Sequence, residues 1–231
     1  MFSLIESLKS SSILEIILVV TGFLFAVLIG LTIHEYAHAK VAYSYGDYTP
    51  KAQGRLTLNP LAHINLIGFF SLLLMGFGWA KPVPVNPLKF KEFRKGIFSV
   101  SVAGVLTNLA TGFIFAGLLI LFTMLESYFF SVKFIYYIFF FLRNFSGFMA
   151  TINISLFVFN LLPIYPLDGF NIIASVVGAK NKLIQFLTKY GSLILFGLVF
   201  ADYLLNLYIF ESIVNFVLNP IITFWARIFL G

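Results

Sequence analysis

Long apolar runs are the feature that most constrains the fold of this chain. Six stretches approach or exceed about 20 residues, the length that a helix needs to cross a bilayer. They cover residues 13–41, 61–79, 96–125, 134–162, 190–208 and 211–229. Only 10% of the residues are charged, whereas a soluble domain has roughly 25%. The sequence therefore predicts an all-α polytopic membrane protein with no separate soluble domain of ordinary size.

Basic residues lie mainly between the apolar runs and give a net charge of +6. The densest cluster consists of Lys89, Lys91, Arg94 and Lys95, and a second consists of Lys180, Lys182 and Lys189. By the positive-inside rule, such loops face the cytoplasm, so the lipid bilayer is the expected partner and nucleic acid is not. The chain has no cysteine, which excludes disulfides and thiolate metal sites.

The first apolar run carries a metal-binding pattern near its end, the H-E-x-x-H motif at residues 34–38. His34 and His38 are four residues apart and share one helix face, so together they can ligate one zinc ion. Glu35 can accept a proton from water at the metal. The alternative is a pair of histidines that merely hydrogen-bond to neighbours. Ionisable residues at membrane depth are rare and usually functional, which favours the zinc site.

A catalytic zinc ion usually has three protein ligands, and the residues alone leave two candidates for the third. These are His63 and Asp168, which follows a proline-rich turn. Asp168 is favoured because a carboxylate beside apolar residues is costly unless it is paired or bound to metal. Its alternative role is to cap the short amphipathic helix that follows.

Residues 43–60 contain Gly, Pro and Asn, and Arg55–Leu58 alternates polar with apolar side chains. This pattern predicts a β-like hairpin or extended segment close to the metal motif. Recurrent prolines exclude a helix over residues 82–87. We therefore expect short membrane-embedded β-like strands beside the predicted helices.

The chain resembles the site-2 protease family of intramembrane zinc metalloproteases, in its compact form without a PDZ or nucleotide-sensing domain. The resemblance rests on H-E-x-x-H, on N-x-x-P-x-x-P-L-D-G at 160–169, on residues 54–60 and 78–87, and on G-x-x-x-N at 104–108. It implies that Asp168 is the third ligand of one zinc ion and that Asn160 binds the substrate backbone. Asn108 is a second candidate for substrate binding, with a polar contact between helices as its alternative.

Because His34, His38 and Asp168 must meet, the two helices that end at these motifs must run parallel. One of the two apolar runs between them therefore does not cross, and 61–79 is predicted to re-enter the membrane instead. This gives about five full transmembrane helices, with the zinc near the cytoplasmic face. Residues 1–231 form a single domain, with a core at about 13–180 and two accessory helices at about 190–229.

These features predict a zinc-dependent endopeptidase with Glu35 as general base, in the inner (plasma) membrane of a bacterium and with an uncleaved first apolar run. Its expected partners are membrane proteins with a single transmembrane helix, cut in regulated intramembrane proteolysis. Two other functions use the same ligands: a zinc transporter and a non-catalytic protein that binds membrane partners.

Overall fold

The computed structural model describes residues 12–65, 67–68, 71 and 81–231. Its helices, in chain order, are α1 (Ile13–Ser44), α2 (Thr49–Ala52), α3 (Phe93–Tyr128), α4 (Lys133–Asn160), α5 (Asp168–Val177), α6 (Lys182–Leu204) and α7 (Ile209–Leu230). Two 3-10 turns, Pro60–Ala62 and Pro87–Lys89, lie between α2 and α3.

In the described part of the chain, five helices are long and apolar enough to cross a membrane: α1, α3, α4, α6 and α7. The chain is therefore a multi-pass membrane protein. The predicted helical class is confirmed, and the number of candidate spans among the described residues agrees with the five that the sequence predicts. The longest helix, α3, has 36 residues. At 1.5 Å per residue it is about 54 Å long, so it extends beyond a hydrocarbon core of about 30 Å.

Helices α1 and α4 run parallel. Gly22 of α1 lies against the backbone of Phe145, and two turns later Gly30 lies against Asn153 of α4. Both contact positions advance by the same number of residues along the two helices. The parallel arrangement that a shared metal site requires is thus present in the packing of the helices themselves.

Helix α3 is antiparallel to both of these helices and packs against each of them. It turns into α4 through residues 129–132. Towards its beginning, Val100 contacts His38 of α1, and two turns later Asn108 contacts His34. The three helices form a core in which the end of α1 lies beside the first half of α3.

Helix α5 packs against α3, so the turn after α4 leads back towards the histidine motif. Asp168 is the first residue of α5, and Gly169 lies against the carbonyl groups of Leu161 and Leu162. A methyl group at position 169 would overlap these carbonyls. The glycine therefore allows α5 to begin directly beside the end of α4, which places Asp168 beside His34 and His38 of α1.

Helix α7 packs against α3 and α4. The indole nitrogen of Trp225 donates a hydrogen bond to the carbonyl of Phe113, at 2.9 Å. Buried apolar side chains fill the junction of the three helices: Ala116, Ala150, Ile154, Val158 and Leu218. This packing lies away from the histidine motif and supports the helices that carry it.

The predicted β-like strands are not found among the residues that the structure describes. Leu56 and Thr57 form bends, so Arg55–Leu58 is not a strand. The Arg55 guanidinium donates to the carbonyls of Lys81 and Pro82, at 2.8 and 2.9 Å. The Arg55 side chain thus occupies carbonyls that a neighbouring strand would use as hydrogen-bond acceptors. The segments around Arg55 and Pro82 are therefore joined without a β-ladder.

The predicted re-entrant run, residues 61–79, lies largely outside the described residues. The structure does place the two flanks of this run together, since the Lys81 N–H donates to the His63 carbonyl at 2.9 Å. The two flanks therefore lie next to each other, on the same side of the membrane, and a re-entrant segment requires this arrangement. The path between them stays a prediction.

Candidate metal centre

Three potential metal ligands converge where α1, α3 and α5 meet. One ligand atom each from His34, His38 and Asp168 lies within 4.8 Å of the other two. The two Nε2 atoms are 2.9 Å apart, and they lie 3.5 and 3.2 Å from Oδ2 of Asp168. No other such group occurs among the residues that the structure describes, and His63 is not part of this one.

This arrangement fits a zinc ion. Zinc holds its nitrogen and oxygen ligands at about 2.0–2.1 Å in a tetrahedron, so neighbouring ligand atoms lie about 3.3 Å apart. The observed separations of 2.9–3.5 Å match that value. In addition, Oδ2 of Asp168 is buried without a hydrogen-bond partner, a costly state for a carboxylate that a cation would relieve. Asp168 makes no capping hydrogen bond to α5, so the capping alternative is not supported.

Helix α3 holds both imidazole rings from the side away from the ligand atoms. Nδ1 of His38 lies 2.8 Å from the Val100 carbonyl. A carbonyl only accepts, so Nδ1 carries the proton and Nε2 presents its lone pair. Nδ1 of His34 lies 3.0 Å from the side-chain amide of Asn108. Each ligand thus has a partner on its outer nitrogen, as metal-binding histidines usually do.

Gly104 lies between these two contacts on α3 and provides the space for both rings. A methyl group there would overlap Cε1 and Nε2 of His38 and would also press on Cε1 of His34. Any side chain at position 104 must therefore displace at least one ligand. This explains why glycine precedes asparagine by four residues in the G-x-x-x-N element.

Glu35 is buried beside the ligands but is held by a different part of the chain. Its Oε2 accepts a hydrogen bond from the Val83 N–H, at 2.7 Å. Val83 belongs to the non-helical segment 81–86. One oxygen of the carboxylate is therefore fixed by backbone, which orients the other towards the space beside the ligands.

Segment 81–86 is itself tied down at both ends. Near its beginning, Arg55 binds two carbonyls, as described above. Near its end, the Asn86 N–H donates to Oδ2 of the buried Asp47, at 2.6 Å, while Oδ1 accepts from the Thr49 N–H, at 2.9 Å. Although burial opposes ionisation, these hydrogen bonds hold the pKa of Asp47 below its usual value. Buried polar groups thus anchor the segment that contacts Glu35.

A cavity of about 390 Å³ opens beside the ligands. Its lining includes the three ligands, Glu35, Val83, Val85 and Asn160. Asn160 therefore faces the space in which a predicted substrate would lie, although its amide nitrogen donates back to the Leu156 carbonyl, at 3.0 Å. Asn108 is fully buried and lies against His34, which is the polar contact between helices given above as the alternative to substrate binding.

Sequence reasoning placed the extended segments around Arg55–Leu58 and Val83–Val85 near the site as candidates to pair with an unwound substrate, but it did not predict the contacts of Val83 and Arg55. It did not assign Val100 or Asp47 to the site. Val83 and Val100 act through backbone atoms, which leave no signature in the residue type. The side-chain contacts of Arg55 and Asp47 depend on segments distant in the chain, which no local pattern indicates. Gly104 had a signal, because the G-x-x-x-N spacing places it one turn from Asn108 on the same helix face.

Comparison with known proteins agrees with this geometry. A sequence model described as "Peptidase family M50" matches residues 137–201, which include Asp168 and most of α4. The chain is also 40% identical to "Putative zinc metalloprotease YwhC" of Bacillus subtilis (strain 168). That match covers 78% of this chain and 88% of the relative. This chain belongs to peptidase family M50. No solved structure matches it.

Membership of M50, the site-2 protease family, confirms the resemblance drawn from the motifs. It supports a zinc metalloprotease, and the cluster of His34, His38 and Asp168 gives zinc a candidate site in this chain.

Proposed function

We propose that this M50 member is an intramembrane endopeptidase that hydrolyses peptide bonds of single-span membrane proteins. One observation carries the proposal: a complete set of zinc ligands lies beside a buried carboxylate, in a cavity at the end of membrane-spanning helices. A purely structural metal would need no neighbouring base and no open cavity.

Bound zinc would supply Lewis-acid activation of the scissile carbonyl and of water. Glu35 is the general base in this proposal. Its Oε2 is engaged by Val83, so the other oxygen accepts the proton of the attacking water and then transfers it to the departing amine. The Val83 N–H stabilises the ionised carboxylate and keeps it from rotating away from the cavity.

A substrate helix hides its amide groups in internal hydrogen bonds, so a part of it must unwind before cleavage. The cavity offers two groups to the unwound backbone. Val85 lies on a non-helical segment that lines the cavity, and Asn160 lines it at the end of α4. We propose that these residues bind the substrate backbone next to the ligands.

We further propose that the site lies near the cytoplasmic face of the plasma membrane. The loops at the ligand end of the helices carry the basic clusters around residues 89–95 and 180–189. At the opposite end, Lys133 begins α4, and Arg143 is paired with Glu126 at 3.0 Å. By the positive-inside rule, this asymmetry supports a cytoplasmic ligand end.

The deciding experiment uses the full chain in detergent or liposomes with a panel of single-span reporter proteins. Glu35→Gln should abolish cleavage while the zinc content stays that of the parent, since Glu35 is not a ligand. Glu211→Gln is a matched control, because Glu211 is exposed at the start of α7. Full cleavage by Glu35→Gln would remove the proposed base.

The same preparations separate the other two functions given above. A transporter predicts zinc flux into liposomes that Glu35→Gln leaves unchanged. A non-catalytic binding protein predicts capture of the reporter without cleavage by the parent chain. Either result, with a correctly bound zinc ion, would contradict the proposed peptidase.

A further inference from the structure

We propose that two copies of this chain pair in the membrane through one face of helix α7. The interface is the α7 polar stripe, which consists of Ser212, Asn215, Asn219 and Thr223. Spacings of three and four residues place these side chains on the same face of the helix. The stripe belongs neither to the candidate metal centre nor to the cavity beside it, so the inference does not depend on the proposed peptidase activity.

All four side chains of the α7 polar stripe are exposed, on a helix apolar enough to cross a membrane. Helix α7 has 22 residues and is about 33 Å long, so its eleventh residue, Asn219, lies near the middle of a hydrocarbon core of about 30 Å. None of the four side chains has a hydrogen-bond partner among the residues that the structure describes. An amide without a partner is costly in hydrocarbon, so the stripe needs a polar partner.

Other membrane helices of this chain face lipid in a different way. Between residues 16 and 39 of α1, the exposed side chains are all apolar: Ile17, Val20 and Phe25. On α3, the exposed Thr123 donates to the Leu119 carbonyl of its own helix, at 2.7 Å. The α7 polar stripe is neither apolar nor bonded within its own helix, which is what a contact surface for another helix requires.

A second copy of the chain is the partner that fits the stripe. Copies of one membrane protein insert in the same orientation, so a two-fold axis along the membrane normal makes their α7 helices parallel. Each stripe residue then lies opposite its own counterpart. An asparagine side chain carries both donors and acceptors, so two copies of Asn215, or of Asn219, can satisfy each other across the axis. A stripe of amides and hydroxyls is therefore its own complement.

The charged residues of α7 are compatible with this pairing. At about 100° per residue, Glu211 and Arg227 lie about 80° to either side of the middle of the stripe. Like charges from the two copies are therefore kept on opposite sides of the interface. A cavity of about 640 Å³ beside Asn219 and Thr223 leaves room for side chains of the second helix.

Cysteine cross-linking tests the interface directly, because the full chain has no cysteine of its own. In liposomes at a low ratio of protein to lipid, with copper-phenanthroline as oxidant, Asn219→Cys and Thr223→Cys should form disulfide-linked dimers. Phe224→Cys is the matched control, since Phe224 is exposed and lies at nearly the same depth as Thr223 but on another face. It should stay monomeric. Absence of dimers at both stripe positions, or dimers at position 224 alone, would overturn the proposal.

Energy transfer between donor- and acceptor-labelled full chains in liposomes measures the strength of the pairing. Asn219→Leu and Asn215→Leu should each weaken it by about 3- to 30-fold, the usual contribution of a hydrogen bond between membrane helices. Ser192→Leu, at an exposed polar position of α6, should leave it unchanged. Circular dichroism of each variant checks that the helices are intact.

Three results would contradict pairing of two copies through α7. One is a parent chain that stays monomeric at every ratio of protein to lipid. Another is parental pairing in the double variant Asn215→Leu/Asn219→Leu. The third is a stripe cysteine that cross-links to a co-reconstituted single-span reporter and never to a second copy, which would assign the stripe to substrate binding.

Discussion

Two of the candidate zinc ligands and the proposed general base are neighbours on α1, yet different parts of the molecule hold them. His34 and His38 are held by α3, a regular helix that contacts both rings through Val100 and Asn108. Glu35 is held by Val83 in a non-helical segment. The metal site therefore depends on the packing of membrane helices, whereas the base depends on a loop anchored by buried polar side chains.

This difference means that metal binding and proton transfer should fail separately. Substitutions on the α3 side should reduce zinc affinity and, with it, activity. Substitutions that loosen segment 81–86 should reduce activity at full zinc occupancy. A substitution that loosens segment 81–86 and also lowers zinc affinity, or one on the α3 side that lowers activity at full zinc occupancy, would contradict the separation.

The largest effect is expected from Gly104→Ala on the α3 side. The added methyl group overlaps the His38 ring and presses on His34, so at least one ligand must move. A displacement of about 1 Å in such a site costs on the order of 100-fold in rate. We expect zinc affinity and cleavage to fall together by at least about that factor, as measured by chelator competition and a reporter assay.

Gly197→Ala provides the control for this substitution. Gly197 also lies inside a membrane-spanning helix, α6, but a methyl group there meets no atom within 4 Å. It should leave zinc affinity and cleavage at parental levels. Parental zinc binding in Gly104→Ala would contradict the predicted overlap between a methyl group at position 104 and the imidazole rings of His38 and His34.

The next effect is expected from Arg55→Met on the loop side. The substitution keeps a long side chain but removes the two hydrogen bonds to the carbonyls of Lys81 and Pro82. Charge-assisted hydrogen bonds contribute about 1.5–3 kcal/mol each. Part of that free energy positions Val83 on Glu35, so we expect cleavage to fall about 10- to 100-fold.

Zinc content is the measurement that distinguishes Arg55→Met from Gly104→Ala. It should stay parental in Arg55→Met, because no ligand contacts Arg55. Arg227→Met, in the last turn of α7, removes an exposed arginine and should change neither property. Loss of zinc in Arg55→Met would show that the loop also supports the metal site, and the comparison would then fail.

The helical part of the molecule could be predicted from the sequence, and the loop part could not. The spacing of His34 and His38 and the apolar runs are direct consequences of helix geometry, and a shared site forces α1 and α4 to be parallel. The contact of Val83 with Glu35 has no such rule behind it. It uses a backbone N–H, and its geometry depends on distant residues such as Arg55.

The β-like strand prediction shows the same limit in one segment. Alternation over Arg55–Leu58 predicts a β-like hairpin or extended segment. In the structure, Arg55 points inward to bind carbonyls as a side chain, while Leu58 is exposed. The polar Arg55 is thus buried and the apolar Leu58 exposed, the reverse of what the alternation indicates, so the pattern determined neither the buried side nor the hydrogen bonding of the backbone.

The smallest effect is expected from Asp47→Asn at the far anchor of segment 81–86. Asparagine has one acceptor oxygen, so it cannot accept from both Asn86 and Thr49 as the carboxylate does. Losing one such hydrogen bond costs about 1–2 kcal/mol. Asn86, the residue that Asp47 holds, is three residues from Val83, so we expect only a few-fold loss of cleavage at parental zinc content. The melting temperature should fall by about 2–8 °C.

The pH dependence of this stability loss identifies the carboxylate as its cause. The pKa of Asp47 in the folded chain lies below its usual value of about 3.9. Its stabilisation is therefore fully present above that usual value and is lost as the pH falls through the lower, folded pKa. The difference in melting temperature between parent and Asp47→Asn should be constant near neutral pH and shrink below about pH 4. A difference that persists unchanged in acid would assign the effect to shape instead of charge, and Asp47 would then anchor the loop as a hydrogen-bonding group that needs no ionisation.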